Sequence, residues 1–392
     1  MTALSPDTQA TALLVGRFGK GEVKPLTRSD YNKVANTLHV QKLRPSDLFN
    51  DLPSDLPVER SRIAELIGRG TSLALAVERW SQFGIGIVSR ADPEYPARFR
   101  TLRGGAAPIL FYAGDLGLLD TATLGVVGSR DATTAGLRFA AQLGERAVSE
   151  DVAIASGDAR GVDRAAMDAA YDAGGKVIGI LADSLAKSVL SKRYRHAIGE
   201  RRLLLISHVE PEARFTVPHA MERNRYIYSA SDAVIIGDSD VKGGTWNGAI
   251  ENAKHGWTTA YVRIGDEARD GNSALVREGL PSIDDAWLES STSLRSLFSK
   301  SASPSSKLPL FELSAPLPVP DAAFEGKDAL FELFLEVIET AFDERLSTQE
   351  LADRLSLEPA QAAAWLDRAA ALGRIAKALD DKWDRLLARP KG

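Results

Sequence analysis

Between Leu124 and about Leu288, short apolar runs recur along the chain: "LGVVG", "VAIASG", "VIGIL", "LLLISHV", "AVIIGD" and "TTAYVRI". Each run is nearly continuous rather than alternating, as in a strand covered on both faces. The stretches between them are long enough for crossover helices. The pattern predicts an α/β fold built on a doubly wound parallel sheet. Ligands of such sheets bind beyond the carboxyl ends of the strands, so the residues directly after each run are the ones to read for chemistry.

The flanking regions carry other periods. Upstream, "VERSRIAELIGRG" and "SLALAVERWSQFG" read as helices with Gly68 and Gly84 as C-caps. Residues 1–115 are expected to form a small helical, SAM-like module. It closes in two lead-in strands, within "GIGIVSRADPEYPARFRTL" and "APILFYAGDLGLL", ahead of an α/β domain over 116–288. Residues 289–327 are rich in Ser and Pro without a sustained period and read as a mostly disordered linker. In 328–392, Ser347 with Glu350 forms a capping box, and Ser356 ahead of Glu358 and Pro359 starts a second helix that Gly373 ends. With "RIAKALDDKWDRL" as a wing, this spells a winged helix-turn-helix, with Trp365 and Leu366 in its core and Trp383 packing the wing. There are no internal repeats.

Composition narrows the chemistry. The 392 residues, 44% of them hydrophobic, suffice for two or three domains. The absence of cysteine excludes disulfides and thiol catalysis, and five scattered histidines argue against a zinc site, so no metal or cofactor is expected. No apolar run approaches the roughly 18 to 20 residues of a membrane span, and no basic segment opens a signal peptide. The expectation is a cytoplasmic protein without membrane contact. A net charge of -5 and a pI near 5.7 leave room only for local cationic patches. Lys and Arg cluster at "SKRYRHAIGERR" (191–202) and "MERNR" (221–225), although most such clusters are solvated charged faces.

Four strand ends carry the residues of anion sites. After the first run come Gly128, Ser129 and Arg130: a residue that lets backbone approach, a hydroxyl, and a bidentate donor, ahead of a helix N-terminus. After the second, Ser156 and Gly157 turn the chain, and Arg160 with Gly161 leads into another helix. After the fifth, Gly243, Gly244 and Thr245 precede a helix. After the sixth, Gly271, Asn272 and Ser273 mark a further helix start. One such loop is ordinary punctuation; four on one sheet edge point to a ligand. Arg223, Asn224 and Arg225 stand before the apolar face of Ile227, Tyr228 and Ala230, and two arginines there need anionic partners.

These motifs, in this order, resemble the DNA-processing protein A (DprA/Smf) family within the wider group of Rossmann-like Smf/DprA and LOG proteins. The resemblance spans nearly the full length, from "WSQFGIGIVSRADPEYPARFRTL" through "VVGSR", "SGDARGVDRAAMDAA", "RNRYIYSASDAVIIGDSDVKGGTWNGAIENA" and "GNSALVREGL", and includes the C-terminal winged helix. It implies a pocket at the sheet's carboxyl edge that holds the backbone of single-stranded DNA. Its contacts would be Ser129, Arg130, Ser156, Gly157, Arg160, Arg223, Asn224, Arg225, Gly244 and Thr245. Gly128 and Gly243 belong to the same turns, and Lys242 is added on charge alone. Tyr226 and Tyr228 are stacking candidates, with core packing the alternative for at least one, and Trp246 either stacks on a base or covers the sheet edge. The chain departs from the family at Met167, where a histidine is expected, at Gly243-Gly244-Thr245 followed by Gly248-Ala249, and at "ADSLAKSVLSKRYRHA", which replaces a Gly-rich, Tyr-Pro turn.

Three readings follow. The first is a non-enzymatic single-stranded-DNA binder, expected to be a homodimer, that presents the strand to a RecA-type recombinase. The second is a nucleotide N-glycosidase of the LOG type, for which Glu251 stands one position later than that motif places its glutamate, with no second acid/base candidate. No catalytic residue is assigned. The third is a nucleic-acid- or nucleotide-sensing regulator that restrains a toxic partner protein in a defence or toxin-antitoxin pair. The recognition helix of that motif, about Glu358 to Leu372, carries Glu358 and Asp367 against Gln361 and Arg368, a poor set for major-groove reading, and favours protein contact.

Overall fold

Alternate residues of each central strand face opposite cores, which is why the runs read as continuous. In the computed structural model, Leu203 and Leu205 pack with Leu143 and Met167 on one face, and Leu204 and Ile206 pack with Phe99 and Tyr226 on the other. The structure describes residues 4–18, 23–265, 267–298, 346–348, 350, 359–371, 375–377 and 382–385. The chain divides into two compact units, Met1–Ala315 and Pro316–Gly392.

The first unit opens with α1 (Pro6–Val15), α2 (Arg28–Val40), α3 (Arg60–Ile67) and α4 (Gly70–Gln82). Leu14 of α1, Tyr31, Val34 and Leu38 of α2, and Ile63 and Leu66 of α3 form a small core, while Leu73, Ala76 and Trp80 of α4 join the core of the sheet. Gly84 has φ +72°, and its N–H and that of Ile85 close back on Ser81 and Trp80, a Schellman stop that seats buried Ile85 against Trp80. Gly68 caps α3 in a right-handed conformation instead.

Next come β1 (Gly86–Ser89), α5 (Ala97–Arg100), β2 (Ile109–Gly114), β3 (Thr123–Val127), α6 (Thr134–Ser149), β4 (Ala153–Ser156), α7 (Val162–Asp172) and β5 (Val177–Leu181). They are followed by α8 (Leu185–Val189), α9 (Lys192–Gly199), β6 (Leu203–Ser207), α10 (Val217–Ala230), β7 (Ala233–Ile236) and α11 (Gly244–His255). The unit ends with β8 (Ala260–Ile264), α12 (Asp270–Arg277), β9 (Ser282–Asp284) and α13 (Asp285–Glu289).

The strands form one nine-stranded sheet in the order β1-β2-β6-β5-β4-β3-β7-β8-β9. The seven strands from β3 to β9 pair in parallel, the expected doubly wound α/β arrangement. The lead-in strands differ from a simple connection: β1 pairs with β2 and β2 with β6, both antiparallel, so they lengthen the same sheet. Arg98 ties this edge segment to the centre, donating to both carboxylate oxygens of Asp232, to Ala230 O and to Thr121 O.

β3 lies between β4 and β7, so the crossovers leave it in opposite directions. That makes the carboxyl ends of β3 and β7 the topological switch point. Residues 290–298, at the start of the stretch read as a linker, dock on this unit. Leu294 is buried, the Glu150 carboxylate accepts from Ser293 Oγ and Leu294 N, and Arg146 donates to Thr292 O. The rest of that stretch, 299–327, lies outside the described residues.

In the second unit, β10 (Leu346–Ser347), α14 (Pro359–Ala371), β11 (Ile375–Lys377) and β12 (Lys382–Arg385) include a three-stranded antiparallel sheet in the order β10-β12-β11. Ser347 and Glu350 make the reciprocal capping-box bonds, Ser347 N to Glu350 Oε2 (2.8 Å) and Glu350 N to Ser347 Oγ (3.2 Å). Along α14, Leu366 is buried and Trp365 partly so. Ser356, Glu358, Gly373 and the side chains of Gln361 and Trp383 lie outside the described residues.

Candidate functional site

The switch point opens into a cleft of about 500 Å³ lined by Gly128, Ser129 and Arg130 after β3, by Arg223, Asn224 and Tyr228 of α10, and by Lys242, Gly243, Gly244 and Thr245 at the start of α11. These positions come from three separate stretches of sequence, and the sheet brings them together.

Close backbone approach builds the β3 side. A Cβ on Gly128 would stand 2.5 Å from the Val162 side chain, and one on Gly161, at φ +97°, 2.1 Å from Ser129 O. The first turn of α7 therefore presses against this loop. Ser129 N donates to Asp238 O (2.7 Å), and the Ser129 hydroxyl accepts from Asp131 N (3.2 Å). Arg130 is exposed, and its guanidinium lies over the Phe215 ring at 4.9 Å.

On the β7 side, Gly243 at φ +103° turns the chain into α11. The leading N–H groups of α11 have no acceptor one turn back, and together with the helix dipole they favour an anion at this end. Asn224 Nδ2 donates to Gly244 O (3.0 Å) and fixes the turn. Lys242 is exposed, and among the described residues no carboxylate pairs with it.

Arg223 forms the floor. It is 6% exposed, donates to Ile180 O (3.1 Å) and lies 3.8 Å from the Asp163 carboxylate. Asp163 also accepts from Gly128 N (3.1 Å) and Gly157 N (3.2 Å), binding both loops to α7. Burial lowers the Arg223 pKa, opposed by Asp163, and burial raises that of Asp163, opposed by Arg223. The anionic partner expected for this arginine is thus the chain's own carboxylate.

Other expected residues are placed elsewhere. Ser156 is buried and spends its hydroxyl on Val126 O (2.5 Å). Gly157 leaves the space that Arg223 occupies. Arg160 is exposed on the β4–α7 loop outside the cleft lining. Arg225 also lies outside the lining and pairs with Glu251 at 3.2 Å, joining α10 to α11. Glu251 is thereby engaged away from the cleft; the carboxylates that line it are Asp163 and Asp240, and Asp240 is held by Arg269 at 2.6 Å.

Tyr226 is buried, accepts from Ala107 N (2.8 Å) and stacks on His208, so it is core. Tyr228 is buried at the cleft wall, and Trp246 packs against the core beneath α11. Asn272 is a fastener: its amide group bridges Ser239 N, Gly237 O and Arg263 O. Met167 is buried and lies against Gly179 of β5, so an apolar contact fills the position of the expected histidine.

Reading the sequence missed the cleft rim. Phe215, Val217 and Met221 line it and are 44%, 64% and 38% exposed. The signal was an aromatic residue between Arg214 and the N-cap Thr216, in a loop with no apolar period to bury it. Among the described residues there is no cluster of three or more His, Asp or Glu able to hold a metal, and no helix is long and apolar enough to cross a membrane.

Comparisons with known proteins agree with this architecture. A DNA processing protein DprA from Streptococcus pneumoniae is 31% identical over 179 residues, covering 44% of this chain and 62% of its own length. Its counterpart from Bacillus subtilis is 26% identical over 205 residues, 51% of this chain and 68% of that protein. The X-ray structure of the S. pneumoniae protein superposes with a TM-score of 0.57 at 22% identity, covering 72% of this chain and 95% of that one, and so shares the fold. The model of the family described as DNA recombination-mediator protein A matches residues 86–287, the sheet and every loop of the cleft, and the chain belongs to that family.

Proposed function

We propose that the protein binds single-stranded DNA at the switch-point cleft and acts in recombination by presenting the strand to a RecA-type recombinase, working in the cytoplasm as a homodimer. It does so by binding rather than catalysis. One observation carries this reading: unpaired Arg130 and Lys242 stand at the mouth of the cleft with the amide-rich start of α11, beside the exposed aromatic ring of Phe215. Cations and helix amides suit backbone phosphates, and an exposed ring suits an unstacked base of any identity. A duplex offers no free base face to that ring. The family's description as a recombination mediator supports the recombinase as destination, and two linked sites in a dimer would raise avidity along one strand.

The test is fluorescence anisotropy of labelled single- and double-stranded oligonucleotides across a salt series, for wild type and an Arg130→Ala, Lys242→Ala double variant. Preferential single-strand binding that weakens with salt and falls in the variant is the expected result. Equal, weak binding of both strands, unchanged in the variant, would sink the proposal.

A further inference from the structure

The basic cluster at residues 191–202 is not used by the cleft, yet the fold sets its first part beside it. Helix α9 is held by Tyr194, which is buried and donates its hydroxyl to Asp158 Oδ1 at 2.6 Å. Asp158 lies in the β4–α7 loop, at φ +55°, and is also paired with Arg164 at 2.8 Å; the next residue, Ala159, lines the cleft. The first turns of α9 therefore stand on the loop that forms one wall of the site.

Charge is divided unevenly along this segment. At its far end, His196 and Arg202 both face Glu200, and Arg201 pairs with Asp115 at 2.7 Å. In its first turns, Lys192 and Arg195 are exposed and have no carboxylate partner among the described residues. Three apart on one helix, they share a face. Arg160, exposed and likewise without a carboxylate partner among the described residues, follows Ala159 on the same loop. In a chain of net charge -5, cations without carboxylate partners on a helix anchored to the cleft's own loop call for an extended polyanion rather than a small one.

We infer that α9 is a second contact surface for the nucleic acid: a strand seated in the cleft leaves it over the β4–α7 loop, past Arg160, and places its next phosphates on Lys192 and Arg195. The inference rests on the binding role proposed above. The partly buried Tyr194–Asp158 bond keeps the helix in place without the strand, so the helix that carries these two cations is preorganised for it.

The experiment compares wild type with a Lys192→Gln, Arg195→Gln double variant on oligothymidylates of about 5 and about 20 nucleotides, lengths that bracket the roughly 4 to 16 nucleotides of a single-strand site. Each phosphate contact contributes about 0.7 to the slope of log affinity against log salt for single strands. Losing two lowers the slope by about 1.4 on the long oligonucleotide, so a fourfold rise in salt costs the variant about sevenfold less affinity than it costs wild type. The short oligonucleotide should bind both proteins alike. An unchanged slope on the long strand overturns the inference and leaves the cleft reading standing. Equal losses on both lengths also overturn it, because the residues would then act on the cleft itself. Failure of wild type to bind either strand overturns both.

Discussion

A Cβ placed on Gly157 would lie 1.0 Å from Nη1 of Arg223. The second loop of the site is therefore a socket for the arginine that forms its floor, and glycine is required there for space rather than for backbone conformation. A Gly157→Ala substitution must displace a buried guanidinium from Asp163 and Ile180 O. The expected cost is about 1 to 3 kcal/mol, typical of overpacking, measured by urea unfolding. Arg223→Ala should cost more, about 3 to 5 kcal/mol, since it strands the buried Asp163 carboxylate. A neutral result for both would show that the Arg223–Asp163 pair does not hold the loops.

Arg225 and the pair Arg130 and Lys242 separate structure from binding. Arg225→Ala removes the bridge to Glu251 between α10 and α11, so its effect should appear in unfolding. Arg130→Ala with Lys242→Ala touches exposed cations without carboxylate partners and should leave stability within about 0.5 kcal/mol. It should lower the salt slope of single-strand binding by about 1.4. Loss of stability in the double variant, with the slope intact, would reverse these roles.

The contrast between these arginines marks where reading the sequence stops. "VIGIL" and "LLLISHV" announce buried parallel strands because burial on both faces leaves a local signature, and "GSR" and "KGGT" mark loop ends because Gly128 leaves room for the Val162 side chain and Gly243 takes φ +103°. Which cation is paired depends on carboxylates brought in by the fold. Asp163 comes from the start of α7 and Glu251 from the middle of α11, so Arg223 and Arg225 look alike in "ERNR" and face different partners. The antiparallel addition of β1 and β2 was hidden for a related reason. An edge pairing such as Phe111 with Ser207 is a long-range register that apolar runs do not encode.

His208 makes acid stability a readable quantity. The ring is buried, stacks on Tyr226, and has neither nitrogen hydrogen-bonded; Glu222 is 3.8 Å away, while Arg28 and His219 oppose a positive charge. Burial first, then His219, takes its pKa from 6.5 down to about 3. The unfolded chain binds this proton below about pH 6.5 and the folded chain does not until about pH 3. The stabilisation is therefore complete above 6.5 and falls as pH drops toward 3, by up to about 1.4 kcal/mol per unit. His208→Phe keeps a ring on Tyr226 and removes the titration, so its unfolding free energy should fall less steeply than that of wild type between pH 6.5 and 4. Parallel curves for the two proteins would mean that His208 already carries a proton in the fold.

Phe215 tests whether the cleft receives a base as well as a phosphate. Its ring is 44% exposed at the rim, with Arg130 lying over it, and it precedes the N-cap of α10 instead of packing within the helix. A truncation there removes little from the core, so Phe215→Ala should unfold at the wild-type denaturant concentration. If a base replaces or joins the guanidinium on the ring, single-strand affinity should fall by about 1 to 3 kcal/mol, the range for one base on an aromatic side chain. Because the Arg130 and Lys242 charges remain, the salt slope should stay at its wild-type value. That combination, weaker binding at constant slope, is the mark of a stacking contact. A reduced slope would instead make Phe215 a prop for the Arg130 guanidinium, and the phosphate contacts alone would then account for the affinity of the cleft.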